Sequence, residues 1–248
     1  MEPILQTKSE AASERIFQPI QPTSIFSSNL FQLNGFAMAT IGDILNEFFS
    51  PFSKERLWVM PENDNYTRKV STWNPVIQSV NRAKFNLSTN CSTWQTLYVS
   101  QPSWKPMMTN SPKPGAYRDF VPSPPGTDPD TCRNAFIIYA GSTAIEITNP
   151  VLIPLPAIQT DDLYFCSIGS FNIYTTVDAI NCAAKTATMN FWMYNAMSRT
   201  SFGRFASQPA FALSGMKTQY MWWNWVETVD WSSGIVRTVP RTSSGRRW

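Results

Sequence analysis

The chain has 248 residues, which is enough for one large domain or for one domain with tails. Only 15% of the residues are charged and the net charge is +3, which excludes nucleic-acid binding as the main activity and is typical of a protein covered by partners. The absence of histidine excludes Ser-His-Asp and Cys-His catalysis, together with any His-ligated metal.

The cysteines and the apolar segments bear on the cellular compartment. Four cysteines lie far apart and form no Cys-x-x-Cys pair, so their spacing predicts buried free thiols: Cys91, Cys132, Cys166 and Cys182. No segment approaches the ~18 apolar residues of a membrane-spanning helix. The first residues also lack the apolar core of a signal peptide. We therefore expect no membrane span and no cleaved secretion signal.

The N-terminal region contains an arm followed by a helix. Residues 1–39 carry scattered apolar side chains without a regular period, which predicts an extended arm that is ordered only against a partner. The next segment, "TIGDILNEFFSPF", has apolar residues at helical spacing, with Thr40 as a cap and Pro51 as a stop. It predicts a short amphipathic helix over residues 41–49.

After this helix the sequence favours strands and one long loop. "RLWVMP", "AKFNLS" (83–88) and "TWQTLYVS" (93–100) are interpreted as strands. Residues 101–130 contain eight of the nineteen prolines, which excludes a helix or a central strand and predicts a long ordered loop. Trp104 and other large apolar residues in this segment argue against a flexible linker between domains.

The second half alternates apolar and polar residues with a period of two. Four strands are predicted there, at residues 134–141, 143–156, 169–179 and 185–197. Since no helical segment separates them, the sequence predicts an antiparallel sandwich or barrel, and hence an all-β protein.

These segments together resemble the capsid proteins of picorna-like viruses. "GSFNIYTTV", "TATMNFWMYNAM" and "SFGRFASQP" are similar to the last two jelly-roll strands and the element that follows them. "STAIEITNPVLIPLP" and "AKFNLSTNCSTWQTLYV" resemble an earlier strand and the paired middle strands. "TIGDILNEFF" is similar to the short helix of the subunit at the five-fold axes, and the resemblance covers residues 40–210.

The resemblance implies an eight-stranded antiparallel jelly-roll sandwich with three parts. They are an N-terminal arm (1–39), the capsid domain (40–211) and a C-terminal surface extension (212–248). It implies a structural, non-enzymatic subunit of a non-enveloped icosahedral positive-strand RNA virus, without cofactors or metals. Its partners would be sister capsid proteins and copies of itself, with genomic RNA at the inner face. The protein would reside in the virion, and in the host cytoplasm during assembly.

One departure from the family concerns carboxylates. Some insect-virus members cleave a precursor with an Asp-Asp-Phe motif, but here the corresponding position reads Arg199-Thr200-Ser201-Phe202. The pairs Asp161/Asp162 and Asp128/Asp130 are candidates for acid/base or Ca²⁺ chemistry. Adjacent aspartates more often belong to turns, so we assign neither catalysis nor a metal to them.

The region after the last predicted core strand contains a tryptophan cluster, "MWWNWVE". We interpret it as a subunit contact, because tryptophan contributes unusually large interface energy. An alternative is a carbohydrate-binding β-sandwich in which Trp222, Trp223 and Trp225 stack on sugars. The predicted interface comprises residues of the N-terminal helix and of this cluster: Ile44, Leu45, Phe48, Phe49, Trp222, Trp223 and Trp225.

Overall fold

The computed structural model describes residues 41–49, 52–122, 132, 165–198 and 216–239. The chain divides into two compact units. The described residues of the first unit are 41–49, 52–56, 132, 165–169, 196–198 and 216–219, and those of the second are 57–122, 170–195 and 220–239. The predicted arm, the predicted strands 134–141 and 143–156, and both aspartate pairs lie outside the described residues.

The predicted N-terminal helix is confirmed in the first unit as α1 (Ile41–Phe49). Ile44, Leu45 and Phe48 on its apolar face are fully buried. At its C-terminal end, Glu47 accepts a hydrogen bond from the backbone N–H of Lys54 at 2.8 Å and pairs with the Arg56 guanidinium at 2.8 Å. These contacts anchor the chain that leaves the helix.

The second unit is built on a six-stranded mixed sheet, which agrees with the all-β prediction at the level of fold class. The strands described are β1 (Arg56–Met60), β2 (Tyr117–Val121), β3 (Phe171–Asn181), β4 (Thr186–Met197), β5 (Gln219–Asp230) and β6 (Arg237–Val239). They lie in the order β1-β5-β4-β3-β2, and β6 pairs with β5. Strands were correctly predicted at "RLWVMP" and in the two segments that form β3 and β4.

Strands β3 and β4 form an antiparallel hairpin in the middle of the sheet. Residues 171–177 of β3 are buried without alternation, because both faces of this strand are covered. The hairpin turns at residues 182–185, where the Asn181 side chain accepts a hydrogen bond from the Ala184 N–H at 2.9 Å and Lys185 has a φ of 54°. Asparagine tolerates such turns because its side chain replaces a backbone acceptor.

The prediction of strands at 83–88 and 93–100 is wrong. Two helices occupy this region, α3 (Asn74–Thr89) and α4 (Cys91–Leu97), and α2 (Asn65–Ser71) precedes them. In α3 the buried residues Val76, Val80, Ala83 and Leu87 recur at helical spacing and form its inner face. Helix α3 packs on β2 and β3, and its Ser79 and Arg82 side chains both donate to Asp119 of β2. Only residues 98–100 run beside a strand, through the bridge between Val99 and Val177.

Two further sequence interpretations are corrected in this sheet. Residues 117–121, predicted as part of the long loop, form the edge strand β2. Residues 219–230, predicted as part of a C-terminal extension, form β5 between β1 and β4. The described part of the predicted loop from 101 to 116 contains no helix or regular strand, as its prolines require.

The cysteines are paired, so the prediction of free thiols is wrong. Cys91 bonds to Cys182 in the second unit and Cys132 bonds to Cys166 in the first. The first bond links the start of α4 to the β3–β4 turn across 91 residues of sequence. Disulfides of this kind persist at extracellular and virion surfaces and are rare in the cytosol.

Replacing Cys91 and Cys182 together with serine is expected to lower the free energy of unfolding by about 2–4 kcal/mol, because a long loop of the unfolded chain is no longer closed. Denaturant unfolding under oxidising conditions measures this loss. Thiol titration of the unreduced, denatured wild-type chain provides the control and should detect no reactive thiol. Two reactive thiols per chain in that sample would contradict one of the disulfides, and four would contradict both.

Candidate functional site

Six of the seven residues predicted as interface residues have described side chains, and all six are buried within the chain. Their exposed fractions are at most 4%: Ile44, Leu45, Phe48, Trp222, Trp223 and Trp225. The side chain of Phe49 lies outside the described part. In this conformation the six side chains offer almost no surface to another subunit. Their burial is explained by packing within the chain, and their role as interface residues stays a prediction.

Trp222 belongs to an aromatic group that also contains Trp104, Trp192 and a lysine, and we call these four residues the Lys113 cluster. The rings of Trp104 and Trp192 meet edge to face with their centroids 4.9 Å apart. Trp104 also contacts Trp222 at 5.1 Å. The Nζ atom of Lys113 lies 4.4 Å from the centroid of the Trp104 ring and 4.6 Å from that of Trp192.

The cluster joins the proline-rich segment to the sheet. Trp104 and Lys113 come from residues 101–116, whereas Trp192 lies on β4 and Trp222 on β5. The indole N–H of Trp222 donates to the backbone carbonyl of Met107 at 2.9 Å. The Tyr174 hydroxyl on β3 donates to the side-chain carbonyl of Asn110 at 2.8 Å. The two hydrogen bonds attach this segment, which has no secondary structure of its own, to β5 and β3, and the ring contact between Trp104 and Trp192 attaches it to β4.

Burial shifts the pKa of two groups in this region by a large amount. It lowers the pKa of Lys113, which is only 5% exposed, to about 8, while the Asp178 carboxylate raises that pKa in opposition. It also raises the pKa of Tyr194, whose ring packs against Trp222, to about 12, with smaller contributions from Tyr220 and Tyr174. The two Trp faces provide the protonated lysine with cation–π contacts in place of water.

The charge of Lys113 should make stability depend on pH. The unfolded chain holds the lysine proton up to its ordinary pKa of 10.5, whereas the folded chain releases it near 8. Between these values the unfolded state binds more protons, so the free energy of unfolding should rise with pH. We expect a rise of about 1–2 kcal/mol up to about pH 10, since the cation–π contacts offset part of the burial cost.

Denaturant unfolding at stepped pH measures this rise, and Lys113→Met should remove it. The exposed Lys105, exchanged for Met, serves as the control and should preserve it. Measurements must stop near the ordinary tyrosine pKa of 10.0, because the raised pKa of Tyr194 makes stability fall above that pH. A flat profile in the wild type would contradict the burial of a charged lysine.

A separate cleft of about 710 Å³ runs along α3. Its walls include Phe85, Lys185, Trp231 and Ile235. Lys84 also lines it, but its ammonium is paired with Glu227 at 2.5 Å and bonded to Thr238 at 2.8 Å. The cleft therefore presents mainly apolar and neutral polar groups, and no arrangement of acid and base faces it among the described side chains.

Within the described ranges, no group of three or more Cys, Asp or Glu side chains is placed to hold a metal ion. None of the helices described is long and apolar enough to cross a membrane.

Sequence reasoning identified the ordering of the proline-rich segment but missed the lysine at its centre. The available signal was the tripeptide Pro112-Lys113-Pro114, which fixes the backbone on both sides of one charged residue. This lysine contacts Trp192, which lies 79 positions further along the chain. No local sequence pattern predicts a contact between such distant residues. No family model, curated protein or solved structure matches the chain.

Proposed function

We propose that the chain is a structural subunit of a non-enveloped icosahedral positive-strand RNA virus. The observation that carries this proposal is the order of the capsid-like segments along the sequence. Two of them, "GSFNIYTTV" and "TATMNFWMYNAM", lie in the consecutive long strands β3 and β4. The segment "AKFNLSTNCSTWQTLYV" no longer supports the resemblance, because residues 83–89 and 91–97 lie in helices and not in paired strands.

In this proposal the sheet belongs to an eight-stranded jelly roll. Further strands would come from residues 134–141 and 143–156, which the sequence predicts as strands. The low charge content supports contact with sister proteins and copies of the same chain, because a charge buried at an interface costs several kcal/mol unless it is paired. The N-terminal arm would lie inside the shell, where it can contact RNA.

The described surface supports a role in assembly. Several large apolar side chains are more than half exposed in the single chain: Phe52, Phe85, Leu97, Phe120 and Ile235. Contacts between subunits would cover such side chains. The disulfides are compatible with a virion outside the cell, where conditions are oxidising. Since assembly takes place in the reducing cytoplasm, they would form only after the particle has left the cell.

The carbohydrate-binding alternative is less well supported. A sugar platform requires aromatic faces that reach solvent, but Trp222 and Trp223 are fully buried and Trp225 is 4% exposed. Trp225 stacks on Phe191, with ring centroids 5.4 Å apart, and donates to Glu227. The three indoles therefore contribute to the core of the sheet.

The capsid proposal can be tested with antibodies raised against the purified chain. They are applied to extracts of the organism that carries the sequence. We expect them to label icosahedral particles by negative-stain microscopy and to precipitate nuclease-protected RNA with sister proteins of similar size. Recovery of the chain as a free monomer without protected RNA would reject the proposal. Binding of that monomer to a glycan array would favour the alternative.

An assembly-deficient variant sharpens this test. Phe85 is 67% exposed on α3 and Leu97 is 56% exposed on α4. The double substitution Phe85→Asp and Leu97→Asp should leave the melting temperature of the chain nearly unchanged, since exposed positions tolerate such changes. We expect it to abolish particle formation by placing charges in a subunit contact. The control Asn81→Asp adds a charge to exposed α3 surface and should preserve particles.

A further inference from the structure

Two buried hydrogen-bond donors in the Lys113 cluster have no acceptor among the described residues. The indole nitrogens of Trp104 and Trp192 are buried and lack a hydrogen-bond partner. The Lys113 residue is only 5% exposed, and its ammonium lies over the faces of both rings. The nearby carboxylate that affects it electrostatically, Asp178, is exposed and accepts a hydrogen bond from Ser100 at 2.5 Å.

Such a concentration of unpaired donors requires an explanation. Buried polar groups in folded proteins nearly always have a partner. Here both unpartnered groups donate, and the same ammonium lies over the faces of both indoles. The missing partner must therefore supply acceptors, and a negative charge would also compensate the lysine.

We propose that the Lys113 cluster binds a small oxyanion, of the size of formate, nitrate or bicarbonate. The ammonium provides the charge, and the indole N–H groups of Trp104 and Trp192 donate to the anion's oxygens. The Trp104 ring packs closely against Trp192 and Trp222, so we expect only an anion of this size to fit among them. This site is independent of the proposed role in a capsid.

Entry requires movement of the proline-rich segment, since the indole nitrogens are buried. Trp104 and Lys113 both lie on this segment, which the Trp222–Met107 and Tyr174–Asn110 hydrogen bonds attach to the sheet. Met107 and Met108 on the same segment are 44% and 42% exposed. Displacement of residues 101–116 can thus open the cluster without disrupting the ladder between β3 and β4.

Binding should depend on pH in a defined direction. The anion pairs with protonated Lys113, whose pKa lies near 8, so affinity should fall as the amine loses its proton above that pH. Asp178 and Arg118 are the other charged groups near this face, and Arg118 lies 5.9 Å from the Tyr174 ring.

Titration of the full-length chain with sodium formate tests the proposal, at constant ionic strength maintained with sodium chloride. We expect a saturable change in tryptophan fluorescence and a rise in melting temperature. Lys113→Met should weaken binding by roughly tenfold or more, and Trp192→Phe, which keeps a ring but removes the donor, by several-fold. Affinity should also decrease as the pH rises past 8.

Two control variants separate this site from general effects on the protein. Trp94→Phe removes an indole whose N–H is already bonded to Asn86 at 2.9 Å, and Lys105→Met removes an exposed charge. Both should bind formate like the wild type. The proposal is overturned by a wild type without a saturable response, by equal binding in Lys113→Met, or by affinity that does not change with pH.

Discussion

Replacing Trp222 and Trp223 together with alanine should leave the chain unfolded at 25 °C in the absence of any partner. Successive residues of a strand point to opposite faces, so the two indoles support different layers of the second unit. Trp222 contacts Tyr194 at 4.8 Å within the aromatic group under the proline-rich segment, whereas Trp223 meets Tyr66 of α2 at 5.0 Å. Removing both opens a cavity on each face of β5.

The size of the expected effect follows from this burial. Each truncation of a buried tryptophan costs about 3–5 kcal/mol, so their combined cost reaches the total stability of an ordinary domain of about 5–15 kcal/mol. Circular dichroism and thermal melting of the purified variant measure the loss. Val239→Ala on the exposed edge strand β6 is the control and should melt within a few degrees of the wild type. A cooperative transition near the wild-type temperature in the double variant would place these indoles outside the core.

This expectation differs from the one based on sequence alone, which predicted an intact jelly roll and weakened particles. "MWWNWVE" has too many apolar residues in succession to show the alternation of a half-buried strand. A strand covered on both faces has this pattern, as does an apolar segment at an interface. Which of the two applies depends on pairing with β1 and β4, and pairing between distant segments leaves no local signal.

The helices were missed for a related reason. "AKFNLS" alternates over six residues when it is considered alone, but the longer segment has apolar residues at Val76, Val80, Ala83 and Leu87. Pro75 near the start of this segment is a further helix signal. A longer window would therefore have favoured a helix. Helix α4 has a single buried residue, Trp94, and its position depends on packing and on the disulfide at Cys91.

The helices and strands that have strong local sequence patterns were predicted correctly. Helix α1 has five apolar residues on one face, a cap before it and a proline after it, so each local signal indicates the same structure. Strands β3 and β4 are rich in β-branched and aromatic residues and are separated by turn residues. The Lys113 cluster could not be predicted in this way, because its four members come from three distant parts of the chain.

The second large effect is expected at α1, where Leu45→Asp should destabilise the first unit by about 3–5 kcal/mol. Leu45 is fully buried and lies beside Ile44 on the apolar face of the helix. An ionised carboxylate there would lose its hydration without gaining a described cationic partner. Protonation would relieve this cost only in part, since the neutral acid would still be buried without a hydrogen bond.

Urea unfolding monitored by circular dichroism and limited proteolysis measures this effect. We expect a lower unfolding midpoint and faster cleavage near residues 41–56, because α1 would lose its docking contacts and the Glu47–Arg56 ion pair would no longer be held in place. Leu45→Met is the matched control, since it conserves volume and should cost less than about 1.5 kcal/mol. An aspartate variant with the wild-type midpoint and cleavage rate would show that the buried face of α1 contributes little to the stability of the first unit.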